Sequence, residues 1–346
     1  MYQWAIIGAG PAGIAATAKL LDSGIPSQEI LWIDPQFTVG DFGTIWRNVP
    51  SNTRVNLFLK FLHALPAFDF KNCKQDFAIN QLDPTETCAL HYMADPLQWI
   101  TNHLMKKVNV IRDKANLLTQ IHDGWEIKFN AHDVVQAKHI ILANGAEPKT
   151  LTHANLPTIP LQDAMDYQRI KNYISHDDTI AVFGSSHSAI LIIKYLLEYP
   201  VKRVINLYRS PLLYAIPKNG WILYDDTGLK GTTAEWARAH IDRDLPKNLI
   251  RVYSDDENIA RYLPTCQKAC YAIGFEKREI KIVKKQDQMI ASTVNGVIAP
   301  GLFGFGIAYP EPKRNPEGLL EFRVGLWKFM EYLQEIMPMW LNNNEK

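Results

Sequence analysis

The N-terminal segment YQWAIIGAGPAGIAATAKLLDSG places a glycine-rich turn between a short apolar run and a longer one. The run from Trp4 to Ile7 predicts a buried β-strand, and the run after the turn predicts an α-helix that ends near Gly24. A second apolar run, EILWI, closes on Asp34, about 20 residues after Gly13. This order and spacing predict a unit that binds a dinucleotide.

Each glycine of GAGPAG has a separate physical task in such a turn. Gly8 permits the tight turn, Gly10 lets a pyrophosphate approach the backbone, and Gly13 lets the helix pack against the strand. The helix N-terminus then faces the phosphates, and Asp34 accepts a hydrogen bond from a ribose hydroxyl. The predicted dinucleotide contacts are Gly8, Gly10, Pro11, Ala12, Gly13, Asp34 and Pro35. A glycine-rich turn that binds no ligand is the alternative.

The charge balance of the chain restricts its partners. The formal net charge is +1, with 37 basic and 36 acidic residues among 346. The chain therefore has no strong overall positive charge that would attract nucleic acid or anionic lipid. We therefore expect a small-molecule substrate and no nucleic acid, and leave a homodimer open. No segment reaches the ~20 apolar residues that a membrane span requires. Four cysteines and no secretory signal predict a reducing, cytoplasmic setting. No metal site is predicted.

A second strand, glycine turn and helix occur in TIAVFGSSHSAILIIKYLL, residues 179–197. The strand VINLYRS follows, and CYAIGFE repeats the pattern of the earlier HIILANGA. The proline-containing stretch EPKTLTHANLPTIPLQ is the best candidate for a crossing between domains. We predict an α/β fold of two Rossmann-like units, with residues 156–290 inserted into a unit formed by residues 1–155 and 291–346. Apolar spacing over residues 317–341 predicts a docked terminal helix.

The second turn reads Gly184, Ser185, Ser186, His187, Ser188 and Ala189, and three interpretations remain open. In the first it binds a pyridine nucleotide, with Ser186 as the smallest substitute for the second glycine. The strand end then offers Arg209 instead of an acid, which suits the 2′-phosphate of NADPH. In the second it is a nucleophile elbow, since GSSHS has the outline of GxSxG. In the third it is a structural turn that has lost its ligand. His187 is interpreted as a surface or phosphate-contacting group.

Further motifs make the sequence resemble the flavin-containing monooxygenases, which belong to the flavoproteins with two dinucleotide-binding domains. GAGPAG is similar to the FAD fingerprint of that family, and GTIW (43–46) is similar to its glycine and tryptophan motif near the flavin. SNTRVNLFLKFLHALPAF (51–68) resembles its Asn-Thr segment. LANGAEP (142–148) and YAIGFE (271–276) resemble its two glycine-containing strand ends, and PGLFGFGIAYP (300–310) resembles its closing loop. The resemblance covers nearly the whole chain.

The resemblance implies FAD in the first unit and NADPH in the second. It implies that Asn52 forms a hydrogen bond near the site of oxygen activation and that Trp46 packs beside the flavin. Asn52 could instead cap its own loop, Trp46 could be a core residue, and Arg47 could serve either the flavin or the NADPH phosphates. The resemblance also places Ala115, Asn144, Gly145, Gly304 and Phe305 at the cofactors.

Two departures from the family bear on the reaction. The histidine-containing sequence between the two units is replaced by IPLQDAMDYQ, and no CxxC is present. If Cys266 and Cys270 lie on one strand they are about 13 Å apart, which no disulfide spans. We expect an FAD-dependent, NADPH-using oxidoreductase that acts as a monooxygenase on a small nucleophile. A plain reductase or oxidase is the alternative, as is a flavin-binding protein that has lost nucleotide turnover.

Overall fold

The structure is a computed structural model that describes residues 1–153, 156–284 and 294–342. It contains two compact units, which we call the N-terminal unit (Met1–Ala146 with Lys277–Lys346) and the inserted unit (Glu147–Glu276). The boundaries predicted after residues 155 and 290 fall outside the described residues. After the inserted unit, residues 281–283 pair with the sheet of the N-terminal unit.

The chain alternates strands and helices from its first residues. Its first segment contains strands β1 (Tyr2–Ile7), β2 (Ile30–Ile33), β3 (Pro50–Arg54), β4 (Thr87–Ala89), β5 (Asn109–Ile111), β6 (Ala115–Ile121), β7 (Gly124–Phe129), β8 (Val135–Leu142) and β9 (Ala146–Pro148). The helices of this segment are α1 (Pro11–Asp22), α2 (Gly40–Gly43), α3 (Val55–Leu62) and α4 (His91–Met105). Gly24 has φ +84° just after α1, as expected for a glycine that ends a helix.

The inserted unit and the returning segment complete the fold. The inserted unit contains α5 (Leu161–Ala164), β10 (Thr179–Phe183), α6 (His187–Glu198), β11 (Arg203–Tyr208), β12 (Ile216–Pro217), β13 (Ile222–Leu223), α7 (Gly231–His240), β14 (Leu249–Tyr253), α8 (Asp256–Tyr262) and β15 (Lys268–Tyr271). Strand β16 (Phe275–Lys277) leads out of it. The returning segment contains β17 (Lys281–Val283), β18 (Val297–Ala299), β19 (Leu302–Gly304), β20 (Glu311–Arg314), β21 (Leu320–Arg323) and α9 (Leu326–Asn342).

The main sheet of the N-terminal unit has β1 at its centre. Its described strands run in the order β17-β6-β7-β8-β1-β2-β5, with β19 paired to β8 and β18 paired to β19. Strand β1 is parallel to both β2 and β8. Parallel sheets are generally covered on both faces, which agrees with the continuous apolar run of β1. Trp4 and Ile6 pack with α1 and α9 on one face, while Ala5 and Ile7 pack with Trp125 on the other.

The sheet of the inserted unit repeats the centre of the first one. Its order is β14-β11-β10-β15, and all its pairings are parallel. This order matches β5-β2-β1-β8 strand for strand, with α6 in the place of α1. The sequence prediction of two Rossmann-like units, the second inserted in the first, is confirmed.

The C-terminal prediction was partly wrong. A helix was expected from residue 317, but Leu320 and Phe322 lie on β21, which pairs with β20 as a hairpin. Gly325 has φ +127° and separates this hairpin from α9, which begins at Leu326. None of the helices in the described ranges is long and apolar enough to cross a membrane.

Candidate functional site

The turn after β1 is held by backbone contacts that only glycine permits. Gly8 has φ +113°, and a Cβ at this position would lie 2.2 Å from the carbonyl oxygen of Ala143. A Cβ at Gly13 would lie 1.9 Å from the carbonyl oxygen of Gly8. Both distances are far below van der Waals contact, so strand β8, the turn and α1 meet at the closest approach that a backbone allows.

Gly10 is a glycine that the surrounding protein does not require. Its backbone is ordinary extended chain (φ −74°, ψ 179°), and a Cβ would have the Val39 carbonyl oxygen, 3.9 Å away, as its nearest neighbour. No described side chain caps α1, its first turn has no acid, and Pro11 stands at its start. The first N–H groups of α1 and the space beside Gly10 therefore fit an anionic phosphate group.

Asp34 stabilises this turn by hydrogen bonds and is also positioned to bind a ligand. Its carboxylate accepts hydrogen bonds from the backbone N–H groups of Ala9 (2.8 Å), Gln36 (2.8 Å) and Phe37 (2.7 Å). A carboxylate has about four acceptor positions, so capacity remains for a ribose hydroxyl. Pro35 follows it as an exposed residue.

The loop after β2 is conformationally strained. Phe37 and Val39 have positive φ values of 55° and 62°. Val39 is β-branched and buried, and such residues rarely adopt the left-handed conformation. Strain of this kind persists where the surrounding structure enforces it, often beside a ligand site. The carbonyl oxygen of Phe37 also accepts a hydrogen bond from Gln98 Nε2 at 3.0 Å, which fixes the loop to α4.

Asn144 and Gly145 lie where β8 ends, next to a cation that sequence reasoning missed. Asn144 donates its amide N–H to the carbonyl oxygen of Arg278 at 2.6 Å, and Arg278 N donates to the carbonyl oxygen of Gly145 at 3.1 Å. The Arg278 guanidinium pairs with Asp41 at 2.5 Å. The other amide atom, Asn144 Oδ1, is buried without a hydrogen-bond partner among the described residues. An unpaired buried acceptor costs about 1 to 3 kcal/mol, so this atom fits a cofactor donor.

The turn after β10 has the same backbone as the turn after β1. Gly184 has φ +120°, and a Cβ there would lie 2.2 Å from the carbonyl oxygen of Ala272. Ser186 takes the place of Gly10 with φ −83° and ψ −177°, and it is exposed before α6 with no side-chain capping hydrogen bond. Since this extended backbone is open to any residue, serine replaces glycine there without strain. A nucleophile elbow requires a strained serine, so this interpretation loses its support.

Strand pairing corrects the position expected for Arg209. Phe183 pairs with Leu207 as Ile7 pairs with Ile33, so the residue equivalent to Asp34 is Tyr208. Arg209 follows one residue later, at the position of Pro35, and is exposed. The strand end therefore presents an aromatic ring and then a guanidinium, and no acid.

His187 is the first residue of α6 and is more buried than its loop position predicted. Its Nδ1 atom is buried and has no hydrogen-bond partner in the described part of the chain. Burial, with a smaller effect from the positive charge of Lys230, lowers the pKa of His187 to about 4. Burial therefore favours the neutral imidazole at physiological pH. Ser185 and Ser188 flank this part of the turn and are half-buried.

Comparison with known proteins identifies the family. Residues 5–147 match the family described as FAD-NAD(P)-binding. Monooxygenase AgnR1 of Paecilomyces divaricatus is 30% identical over 384 residues, which cover 97% of each chain. The chain belongs to the FAD/NAD(P)-binding flavoproteins of the monooxygenase family. This FAD-dependent oxidoreductase uses a pyridine nucleotide.

Solved structures share the fold of this flavoprotein. The bacillithiol disulfide reductase Bdr of Staphylococcus aureus matches with a TM-score of 0.65 and 13% identity, covering 100% of this chain and 99% of that one. The ornithine N-hydroxylase of Kutzneria sp. 744 matches with a TM-score of 0.64 and 12% identity, covering 100% of both chains. A disulfide reductase and a hydroxylase thus share one fold, so the fold does not decide the reaction.

The Asn-Thr segment of the flavoprotein begins on strand β3 and continues into helix α3. Asn52 lies on β3 with an exposed side chain, and this side chain forms no hydrogen bond to any described residue. The local backbone contact is made by Ser51, whose Oγ accepts from Thr53 N at 2.8 Å. Asn52 therefore does not cap its own backbone, and its amide is available to a ligand.

Trp46 and Arg47 precede this strand. Trp46 is half-buried, and its backbone N–H donates to the carbonyl oxygen of Asp41 at 3.0 Å. Arg47 pairs with Asp95 on α4 at 2.7 Å, and both side chains are partly exposed. The guanidinium of Arg47 already has an acidic partner, which leaves it less available to the phosphates of either cofactor.

The closing loop approaches α1 through a residue that sequence reasoning did not select. A Cβ at Gly306 would lie 2.5 Å from Ala12 Cβ, in the first turn of α1. Gly304, which was selected, is instead required by the Tyr309 ring, because a Cβ there would lie 2.3 Å from Tyr309 Cγ. Phe305 is buried in the core against Phe329 and Tyr332, so only its backbone could face a cofactor. Ala115 is buried at the start of β6.

Proposed function

We propose that this flavoprotein is an NADPH-dependent monooxygenase that transfers one oxygen atom to a small soft nucleophile, a sulfur or an amine. FAD binds to the N-terminal unit and NADPH binds to the inserted unit. The observation that carries the proposal is the pair of turns with matching backbone, in a chain that resembles a monooxygenase along nearly its whole length. The oxygen acceptor is a small molecule.

The N-terminal unit fits FAD by its own contacts. The N–H groups at the start of α1 and the open space beside Gly10 suit the pyrophosphate, and Asp34 suits a ribose. Asn144 Oδ1 is a buried acceptor without a partner and suits a donor of the bound cofactor. FAD supplies the chemistry of accepting a hydride from NADPH and reacting with oxygen. The protein supplies binding, orientation and exclusion of water.

Asn52 is the residue that separates oxygenation from simple oxidation in this proposal. Its exposed amide is not committed to any described protein group, so it can donate to or accept from a bound reactant. A positioned amide that binds only the reacting state contributes about 2.7 to 4 kcal/mol in comparable sites. Its loss therefore lowers oxygen transfer about 100-fold or more while leaving NADPH oxidation in place.

The test is a substrate screen of amines and thioethers under ¹⁸O₂, with NADPH oxidation, product and released hydrogen peroxide measured together. We expect one ¹⁸O atom per product molecule and little peroxide in the wild type. We expect Asn52→Ala to keep oxidising NADPH while peroxide replaces product. Asn56→Ala is the matched control, because Asn56 is also an exposed asparagine, on the next element, α3.

One result overturns oxygenation. If no compound gains ¹⁸O, and the wild type and Asn52→Ala release equal peroxide for each NADPH consumed, the protein is a reductase or oxidase. The stretch IPLQDAMDYQ near the start of the inserted unit contains no histidine, which favours this second candidate. Quinones then replace amines and thioethers in the screen.

A further inference from the structure

Arg251 is a cation of the inserted unit that neither the turn motif nor the strand-end motif contains. It lies on β14, and strand pairing places it beside Asn206 of β11. Its Nε donates to Asn206 Oδ1 at 2.9 Å, and its guanidinium lies 4.8 Å from the centre of the Tyr208 ring. These two contacts fix the guanidinium at the end of β11.

Asn206 connects this guanidinium to the second turn. Its amide nitrogen donates to the carbonyl oxygen of Gly184 at 2.8 Å and to that of Val182 at 2.9 Å. The same side chain accepts from Arg251, so a continuous line of hydrogen bonds runs from the turn glycine to the guanidinium. In the N-terminal unit, Trp32 occupies the position of Asn206 and donates to the carbonyl oxygen of Gly8 at 2.9 Å. That unit has Val110 at the position of Arg251.

Arg251 has no direct ion-pair partner among the described residues. The side chain is half-buried and forms no ion pair with any described acid. The carboxylate of Asp242 favours the charged guanidinium from a distance, and it accepts a hydrogen bond from the Tyr214 hydroxyl at 2.7 Å. Guanidinium carries five N–H donors, and only one of them is used by Asn206. A half-buried cation with free donors is costly unless an anion binds it.

The position of this cation defines the anion. Tyr208 is equivalent to Asp34, which is the residue placed to bind a ribose in the N-terminal unit. The neighbouring cation therefore lies next to the ribose of a nucleotide bound at the second turn. A phosphate on that ribose is the group that distinguishes NADPH from NADH.

We propose that Arg251 is a specificity-determining residue that binds the ribose 2′-phosphate of NADPH, together with the exposed Arg209. This inference rests on the proposed function, because it requires the second turn to bind a pyridine nucleotide. Asn206 and Tyr208 orient the guanidinium, so the phosphate meets a cation already in place. Arg209 adds charge from the solvent side.

The experiment compares two ligands in each variant of the FAD-loaded protein. Dissociation constants for NADP⁺ and NAD⁺ are measured by calorimetry in the wild type, Arg251→Gln and Arg251→Lys. We expect Arg251→Gln to weaken the binding of NADP⁺ about 10- to 100-fold and the binding of NAD⁺ less than about twofold. The reason is that only NADP⁺ loses a charge-assisted contact. The NADP⁺ affinity of Arg251→Lys should fall between those of the wild type and Arg251→Gln. Lysine keeps the positive charge but lacks the planar guanidinium that binds a phosphate with two hydrogen bonds.

Arg203→Gln is the matched control. Arg203 is an exposed arginine at the opposite end of β11, so both ligands should bind this variant as they bind the wild type. An equal loss of NADP⁺ and NAD⁺ in Arg251→Gln would mean that Arg251 only supports the turn through Asn206, which overturns the inference. An unchanged ratio of the two constants overturns it as well. A wild type that binds neither ligand overturns the proposed function itself, which is a separate outcome.

Discussion

The two turns of this flavoprotein have the same backbone but different side chains. Gly8 and Gly184 have φ values of +113° and +120°, and each would bring a Cβ to 2.2 Å from a carbonyl oxygen of the neighbouring strand. Gly10 and Ser186 share an extended backbone, with φ values of −74° and −83°. Glycine is therefore kept where the backbone requires it. It is replaced where only a ligand would require it.

The two turns also differ at the third glycine position of the motif, which is Gly13 in the first turn and Ala189 in the second. The difference is how closely the helix approaches the turn. A Cβ at Gly13 would lie 1.9 Å from the carbonyl oxygen of Gly8, so α1 admits no side chain there. Ala189 carries a Cβ at the equivalent position, 3.3 Å from where a Cβ of Gly184 would lie. Helix α6 thus leaves room for a methyl group. The turn of the inserted unit has looser packing, which predicts that the two turns respond differently to the same exchange.

The largest effect is expected from exchanging glycine and alanine at these positions. Gly13→Ala forces a methyl group into a backbone carbonyl, so α1 must move away from the turn and its N–H groups lose their alignment on the FAD pyrophosphate. We expect purified Gly13→Ala to have lost its yellow colour, with FAD affinity at least about 100-fold weaker. This corresponds to roughly 3 kcal/mol of lost binding. Flavin absorbance after gel filtration and titration with FAD measure it.

Ala189→Gly is the reciprocal control in the inserted unit. It removes a methyl group that the turn already accommodates, at a cost of about 0.5 to 1 kcal/mol for glycine in a helix. FAD content should be unchanged, and the melting temperature should fall by a few degrees. If Gly13→Ala retained full FAD while Ala189→Gly lost nucleotide binding, the contrast between the two turns would be reversed.

The second exchange concerns Ser186 and Gly10, which have the same extended backbone conformation. Ser186→Leu places a bulky side chain against the approach of a pyrophosphate, and we expect NADP⁺ affinity to fall about 100-fold, or roughly 2.7 kcal/mol. Ser186→Gly should keep or improve it. Gly10→Ser should fold normally, because a Cβ there lies 3.9 Å from its nearest protein atom. This variant should bind FAD about tenfold more weakly.

Melting curves separate folding from binding in these variants. Each should melt within a few degrees of the wild type when no nucleotide is added. Unchanged NADP⁺ affinity in Ser186→Leu would show that the second turn does not face a nucleotide, which favours the structural alternative.

Local sequence predicted the two turns, whereas the contacts between distant strands required the structure. Gly8 and Gly184 were identified because a strand, a glycine and a helix are adjacent in the sequence. Arg251 was missed because its importance depends on the pairing of β14 with β11, across about 45 residues. Sequence carries no signal for the register that places Tyr208, and not Arg209, opposite Gly184.

The C-terminal segment shows a second limit of sequence reasoning. Leu320 and Phe322 are two residues apart, which is the spacing of a strand, but Val324 and Trp327 extend the pattern to helical spacing. The positive φ of Gly325 interrupts the chain between the hairpin and α9. Apolar spacing across a glycine can therefore merge two elements into one apparent helix.

The last expected effect is on thermal stability and concerns two half-buried histidines, one in each unit. Burial lowers the pKa of both His187 and His139 to about 4. Each histidine is charged more easily in the unfolded chain, where its pKa is about 6.5. The stability linked to the neutral form is therefore complete above pH 6.5, and it is lost as the pH falls from 6.5 toward 4. For His187 this loss is about 2 kcal/mol at pH 5 relative to pH 8.

His187→Gln removes the titrating group while keeping a polar side chain at the start of α6. The melting temperature of the wild type should fall between pH 8 and pH 5 by about 2 to 4 °C more than that of His187→Gln. NADP⁺ affinity in the wild type should show no step near pH 6.5 from this residue, since the imidazole stays neutral there. The comparison with His139→Gln sharpens the result, because His139 lies on β8 and belongs to the other unit. Equal loss of stability in the wild type and His187→Gln would show that His187 is already accessible to protons in the folded protein.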